Sequence, residues 1–150
     1  MVERVIAKSI LDVDDFYNLR IYAVFDENEL DTRFIKANIK RYIDKEPMVI
    51  HQDKFMSFFY MKDLVKLVRY YIDTERPYKE LDCCYSAIYS LDKIANTINE
   101  LDSYKVDIHN SGIGFGPHYY GGNLFIPNIE FIGLTQGIKE TYNKIKSQCQ

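Results

Sequence analysis

Two tyrosines are each followed four residues later by a lysine, Tyr89 with Lys93 and Tyr142 with Lys146, and this spacing offers acid–base work only if both side chains share a helical face. Tyr89 precedes Ser90, a residue suited to start a helix, so its pair is expected to be split between two elements. Tyr142 and Lys146 are expected to share a face, close to the end of the sequence. Gly112-Ile113-Gly114-Phe115-Gly116 has the glycine density of a phosphate cradle. Such a cradle must follow a strand and open a helix, whereas here Pro117-His118-Tyr119-Tyr120 comes next. The three histidines, His51, His109 and His118, are dispersed, with no companion Cys or carboxylate at ligand spacing, and no metal site is expected. No Ser/His/Asp set has local support. Cys83, Cys84 and Cys149 form no C-x-x-C spacing, and the adjacent pair is sterically poor for a mutual disulfide, so reduced thiols are expected.

These side chains need a scaffold, and 150 residues that are 47% apolar suffice for one domain with a core, read over residues 1–150. The net charge of -3, with both signs scattered, leaves no basic stripe for a phosphate backbone, so nucleic acid is not an expected partner. The longest apolar runs, such as FMSFFYM, fall far short of the roughly 20 residues a bilayer span requires, and the first ten residues are charged and amphipathic. No membrane association and a cytoplasmic location are expected.

Hydrophobic periodicity places the elements. Val2, Val5, Ile6, Ile10 and Val13 recur at helical spacing without a cap signal ahead of them. LRIYAVF, apolar on both faces, predicts a central strand of a parallel sheet. Phe34, Ile35, Ile39 and Ile43 predict a helix ended by Pro47, and MVIHQDKFMSFFYM predicts two short strands or one interrupted strand. Asp63 stands where an N-cap belongs, ahead of Leu64, Leu67, Val68 and Tyr71. LDCCYS predicts a strand, and Ser90 caps a helix carrying Leu91, Ile94, Ala95, Ile98 and Leu101. YKVDIHN predicts another strand. Residues 110–123, with five glycines and a proline, predict a rim loop, and Thr135 predicts the cap of a last helix with Ile138, Tyr142 and Ile145 inward. Strands alternating with helices argue for an α/β fold, with room for local antiparallel pairing.

Four stretches in this order resemble the extended short-chain dehydrogenase/reductase family, the NAD(P)-dependent epimerases, dehydratases and reductases of nucleotide sugars. Arg20-Ile21-Tyr22-Ala23-Val24-Phe25-Asp26 is similar to the family strand R-(L/I)-x-N-V-Y-G-P, and Arg33-Phe34-Ile35 to the start of the helix beside the nucleotide. Met56-Ser57-Phe58-Phe59-Tyr60-Met61-Lys62-Asp63-Leu64 resembles R-D-F-(I/V)-Y-V-D-D-L. LDCCYSAIYSLDKIANTI resembles Y-N-(I/V)-G-S-G-x-x-(S/T)-(L/I)-x-E-L-A-x-x-I, and FIGLTQGIKETYNKIK the closing phrase F-x-x-(S/T/G)-L-x-E-G-(I/L)-x-x-T-x-x-(W/Y).

The resemblance implies a partial Rossmann-type fold: late sheet strands and helices together with the small C-terminal substrate-binding lobe. It also implies NAD(P) chemistry, in which a Tyr exchanges a proton with the sugar while a Lys four residues on lowers its pKa. The family's G-x-x-G-x-x-G loop has no counterpart in these residues, and its Tyr/Lys helix is matched only by the tail VERVIAKSI. The N-terminal cofactor-binding region is therefore expected to be absent, with no catalytic residue supplied by this sequence and no NAD(P) held by it alone.

Substrate-binding residues follow position by position. Phe25 and Phe34 are candidates to stack on a base, and Arg33 opens the helix beside the nucleotide. The family arginine before D-F-I-Y-V is Met56 here, which leaves Lys54, on the same face if the strand alternates, as a point charge for the diphosphate. No arginine follows Arg76, so His118 and Tyr120 are the polar candidates of the glycine-rich stretch. Asp26 and Glu27, replacing Gly-Pro, would disfavour an anion nearby. The implied function is the substrate-binding portion of a sugar-nucleotide epimerase, dehydratase or reductase, inactive alone, with a nucleotide sugar as ligand and a separate cofactor-binding chain or a second copy as partner. The alternative is a non-catalytic binding or self-assembling module derived from that family, its open sheet edge covered by dimerisation.

Overall fold

A computed structural model describes residues 16–74, 78–122 and 129–148. The helix expected over Val2–Val13 lies outside the described residues. The run LRIYAVF is not one strand: it breaks at Tyr22-Ala23 into β1 (Asn18–Ile21) and β2 (Val24–Phe25). After α1 (Phe34–Ile43) come three short strands, β3 (Met48–Ile50), β4 (Phe55–Met56) and β5 (Phe59–Tyr60), where two were expected. Then follow α2 (Met61–Asp73), β6 (Glu80–Cys83), β7 (Tyr89–Ser90), α3 (Leu91–Asn99), β8 (Ile108–Asn110) and α4 (Leu134–Gln148).

The strands pair two by two. β1 runs parallel to β6, β2 to β5 and β3 to β8, while β4 and β7 are antiparallel. Parallel pairing joined through helices is the α/β arrangement the alternation predicts, and the antiparallel pair is the local exception.

Two apolar clusters hold these pieces. In the larger, Ile35, Ile39 and Tyr42 of α1 meet Ile94 and Ile98 of α3, Ile138 and Ile145 of α4, and Met48, Ile50 and Tyr60 from the strands. In the smaller, Leu67 and Tyr71 of α2 cover Leu81 and Cys83 of β6, with Leu19 of β1 beside them. Each fully buried Ile or Leu contributes about 1.5–3 kcal/mol relative to exposure. Val68, expected inward, is 37% exposed, because Leu67 and Tyr71 take the buried face of α2. Cys83 and Cys84 are buried free thiols, and burial pushes Cys83 up to about 12.

Polar side chains set how the elements meet. Asn38, 2% exposed, donates to the Phe34 carbonyl at 3.0 Å and the Val49 carbonyl at 3.2 Å, and accepts from the Val49 N–H at 2.8 Å, which fixes α1 against β3. Helix α1 ends before Pro47, where Lys45 takes a left-handed φ of 58°. Ser90 accepts the Lys93 N–H at 3.2 Å as the cap of α3, and Asp53 accepts the Asp92 N–H at 3.0 Å beside it. Asp63 does not cap α2. It is the third residue of that helix, fully buried, and its carboxylate is taken by the N–H groups of Ile132 and Gly133. Thr135 likewise lies inside α4, which opens at Leu134 directly after Gly133 at φ 86°.

Candidate functional site

Ligands of open parallel sheets sit beyond the carboxyl ends of the strands. Here the bend after β1, the residues following β3 and the start of α1 enclose a cavity of about 730 Å³. Tyr22 and Ala23 form one side, Thr32, Arg33 and Phe34 another, and His51, Gln52, Lys54 and Met56 a third, with Glu29, Phe58, Leu91 and Pro117 completing the wall.

The structure brings together three of the six residues expected to bind substrate: Arg33, Phe34 and Lys54. Lys54 and Met56 line the same wall, so the lysine is on the side that its alternation with Met56 predicts. Phe25 is fully buried, does not line the cavity, and contributes to the core with its ring 5.3 Å from that of Tyr60. His118 and Tyr120 do not line the cavity. His118 Nδ1 accepts the Phe55 N–H at 3.4 Å, and its ring is 6.0 Å from Tyr120.

The acidic loop after β2 divides its charges. Asp26 accepts the Asn28 N–H at 2.8 Å, and Glu27 pairs with Lys144 of α4. Burial works to raise the Glu27 carboxyl, and the Lys144 bond outweighs it, holding the group below the usual range. Only Glu29 faces the cavity. Its Oε1 accepts the Lys36 N–H at 3.2 Å, and burial lifts it to about 7, so it is half ionised near neutrality.

Beneath Tyr22, Asp82 receives Arg20 Nε at 2.5 Å and the Gly122 N–H at 2.8 Å, while Arg20 also reaches Glu80 at 2.6 Å. Burial of Asp82 is outweighed by the Arg20 bond, and its carboxyl stays low. Burial, followed by Asp82, whose carboxylate also takes the phenol's hydrogen bond, raises the Tyr22 phenol and keeps it neutral.

The stretch after β8 packs along the cavity rather than standing off it. The Gly116 N–H donates to Asp53 O at 2.7 Å, Tyr119 N–H to Phe55 O at 2.9 Å and Ser57 N–H to Tyr119 O at 3.1 Å, so residues 115–119 run beside β4. A Cβ on Gly112 would lie 2.5 Å from the His51 carbonyl oxygen, which makes glycine there a condition of close approach.

Of the tyrosine–lysine pairs, Tyr89 lies in β7 and Lys93 in α3, in separate elements as their spacing about Ser90 predicts. Tyr142 and Lys146 do touch, at 2.9 Å, but both bind Asp102 Oδ2, at 2.9 and 2.7 Å, and neither lines the cavity. Lys146, then Tyr142, hold the Asp102 carboxyl down at about 2. The pair ties α4 to the turn after α3.

Glu29, Tyr22, His51 and Gln52 escaped the sequence reading. Tyr22 and His51 directly follow strands β1 and β3, and that position at a carboxyl end is the signal that points to them.

No protein-family model matches the chain, and no curated protein sequence matches it. Solved structures do resemble it. UDP-glucose 4-epimerase of Thermotoga maritima, solved with UDP-glucose, is 12% identical with a TM-score of 0.73, over 99% of this chain and 52% of that one. UDP-N-acetylglucosamine 4-epimerase of Methanobrevibacter ruminantium, solved with UDP-N-acetylmuramic acid, is 20% identical with a TM-score of 0.67, over 96% and 51%. An NAD-dependent NDP-hexosamine 5,6-dehydratase of tunicamycin biosynthesis is 11% identical with a TM-score of 0.71, over 97% and 51%. Parallel strand pairs, the helices between them and these likenesses agree: the chain carries, across about half the length of each solved structure, the partial Rossmann-type fold of the NAD-dependent sugar-nucleotide epimerases and dehydratases.

Proposed function

We propose that the chain is the substrate-binding portion of a cytoplasmic sugar-nucleotide epimerase, dehydratase or reductase, and that its cavity takes the nucleotide sugar. The observation behind this reading is that Arg33, Phe34 and Lys54 converge on one cavity at the carboxyl ends of parallel strands. Arg33 and Lys54 supply charge for a diphosphate, the first as a fork and the second as a point. Phe34 offers a ring face to a base.

The described residues do not fit a dinucleotide. Its pyrophosphate needs a glycine turn opening a helix, and the glycine run 112–116 leads instead into Pro117 and the strip beside β4. No step of nicotinamide chemistry is therefore assigned to these residues. A cofactor-binding part, on a longer chain or a separate one, would carry NAD(P).

Calorimetric titration with UDP-, GDP- and dTDP-sugars and with NAD(P)H tests the reading. Micromolar binding of a nucleotide sugar with no response to NAD(P)H supports it; no response to any nucleotide sugar sinks it. A second reading, a self-assembling module, is favoured by one observation. Among the described residues β1 pairs on one side only, and its Ile21 is 48% exposed, an edge that a second copy could cover. Light scattering over a concentration series distinguishes the two.

A further inference from the structure

Outside the cavity, four ring side chains gather on the surface. Phe55 and Phe115 stack with centroids 5.6 Å apart and planes 23° from parallel, His118 lies 5.1 Å from Phe55 at 56°, and Tyr120 lies 6.0 Å beyond His118. Phe115 is 60% exposed and Tyr120 44%. Large exposed aromatics cost solvation and mark a surface that something covers.

This surface is built in advance. The main-chain bonds that lay Gly116 and Tyr119 along Asp53 and Phe55 fix where Phe115, His118 and Tyr120 stand. A ligand therefore meets rings already in place.

Its chemistry narrows the occupant. Phe55 and Phe115 stack on each other while His118 is turned against both and Tyr120 against His118, which leaves no open parallel slot into which a planar base would slide. Lys54 lines the cavity, the Asp53 carboxylate is turned inward to the start of α3, and the chain has a net charge of -3. A polyanion finds no counter-charge there. The strip does have hydrogen-bonding tips. His118 Nδ1 accepts the Phe55 N–H, which leaves Nε2 as its donor, and the Tyr120 hydroxyl has no partner among the described residues. Apolar faces edged by hydrogen-bond donors and acceptors suit a pyranose ring, which presents C–H groups on its face and hydroxyls on its rim.

We propose that Phe55, Phe115, His118 and Tyr120 form a binding platform for a neutral saccharide, separate from the nucleotide cavity. The platform stands whether or not the cavity takes a nucleotide, because its ligand carries no phosphate.

The test is a titration of the full chain, followed by NMR, with methyl glucoside, methyl mannoside and the cello-, malto- and chito-oligosaccharides. UDP is titrated in parallel to report on the cavity. Saturable shifts of the platform resonances are expected with at least one saccharide. Phe115→Ala should weaken that binding about 3- to 10-fold, the range set by losing one aromatic contact, and Tyr120→Phe should weaken it less. Both residues are exposed, so both variants should stay folded with unchanged melting, and UDP titrations should be unaffected. Saccharide shifts that are absent, or equal in Phe115→Ala and the parent, overturn the platform. So does self-association abolished by Phe115→Ala, which would make the strip an interface between copies.

Discussion

The Tyr85 hydroxyl donates to Asp63 Oδ2 at 2.5 Å, and the same carboxylate receives the N–H groups of Ile132 at 2.8 Å and Gly133 at 3.0 Å. One buried side chain at the start of α2 thus ties the loop after β6 to the entry of α4. Removing it strands three donors. Asp63→Ala should cost about 3–5 kcal/mol, the range for breaking a buried charged network, whereas Tyr85→Phe, which removes one partner, should cost about 1–2 kcal/mol. Urea melts of the two variants give both values, and equal losses would contradict the shared carboxylate.

Tyr85 also carries a pH dependence. Burial, and then the bond to Asp63, raise its phenol above the ordinary tyrosine range of about 10. The unfolded chain releases that proton first, so the stabilisation is complete below about pH 10 and is lost as pH rises beyond it. Thermal melts should decline more steeply above about pH 10 in the parent than in Tyr85→Phe. Identical alkaline slopes would count against it.

Much of this framework was legible in the sequence, and what escaped shares a cause. Ser90 is a local signal, read within three residues, and it does cap α3. Helical spacing of Ile138, Tyr142 and Ile145 likewise needs only one element, and all three are buried. Asp63 looked like the same kind of signal, yet its partners lie 22, 69 and 70 residues away, where no local pattern reaches. The break in LRIYAVF is equally non-local, since β1 and β2 end on different partners, β6 and β5. In the cavity, Arg33, Phe34 and Lys54 came from similarity of ordered stretches. Glu29 came from neither pattern nor similarity, because its role depends on which way a loop folds while Glu27 turns to Lys144.

Lys54 stands in for an anchor that Met56 cannot provide. If it meets the diphosphate, Lys54→Ala should weaken nucleotide-sugar binding about 10- to 100-fold, the worth of a charge-assisted bond, and Lys54→Arg should retain most of it. Arg33→Ala should act in the same direction. Calorimetry on the three variants decides, and an affinity unchanged in Lys54→Ala would remove the diphosphate from that wall.

Glu29 gives the cavity its own pH response. Burial raises it to about 7, so the Glu29 side chain is neutral in mild acid and negative in mild alkali. An anionic ligand should bind more weakly as pH climbs through 7, and Glu29→Gln should flatten that dependence. Stability runs in the same sense. A carboxyl raised on folding stabilises fully below its unfolded value of about 4.3 and loses that contribution as pH rises through 7. Glu29→Gln should therefore melt higher than the parent in mild alkali, and affinity profiles that coincide for the two proteins would exclude Glu29 from the ligand's field.

Two glycines separate a packed strip from a loose loop. A Cβ at Gly112 would sit 2.5 Å from His51 O and 2.8 Å from Gln52 Cα, both backbone atoms that move only if the cavity wall moves with them. Gly114, at φ 67°, has nothing within 4 Å of the same Cβ. Gly114→Ala should therefore cost only the left-handed conformation, about 1 kcal/mol, and leave ligand affinity intact. Gly112→Ala should cost more, about 2–3 kcal/mol, and weaken ligand binding as well, because His51 and Gln52 are displaced from the wall. Melting and calorimetry on the two variants resolve the point. A Gly112→Ala protein with parental stability and affinity would mean that the strip yields freely and that its glycines serve no close approach.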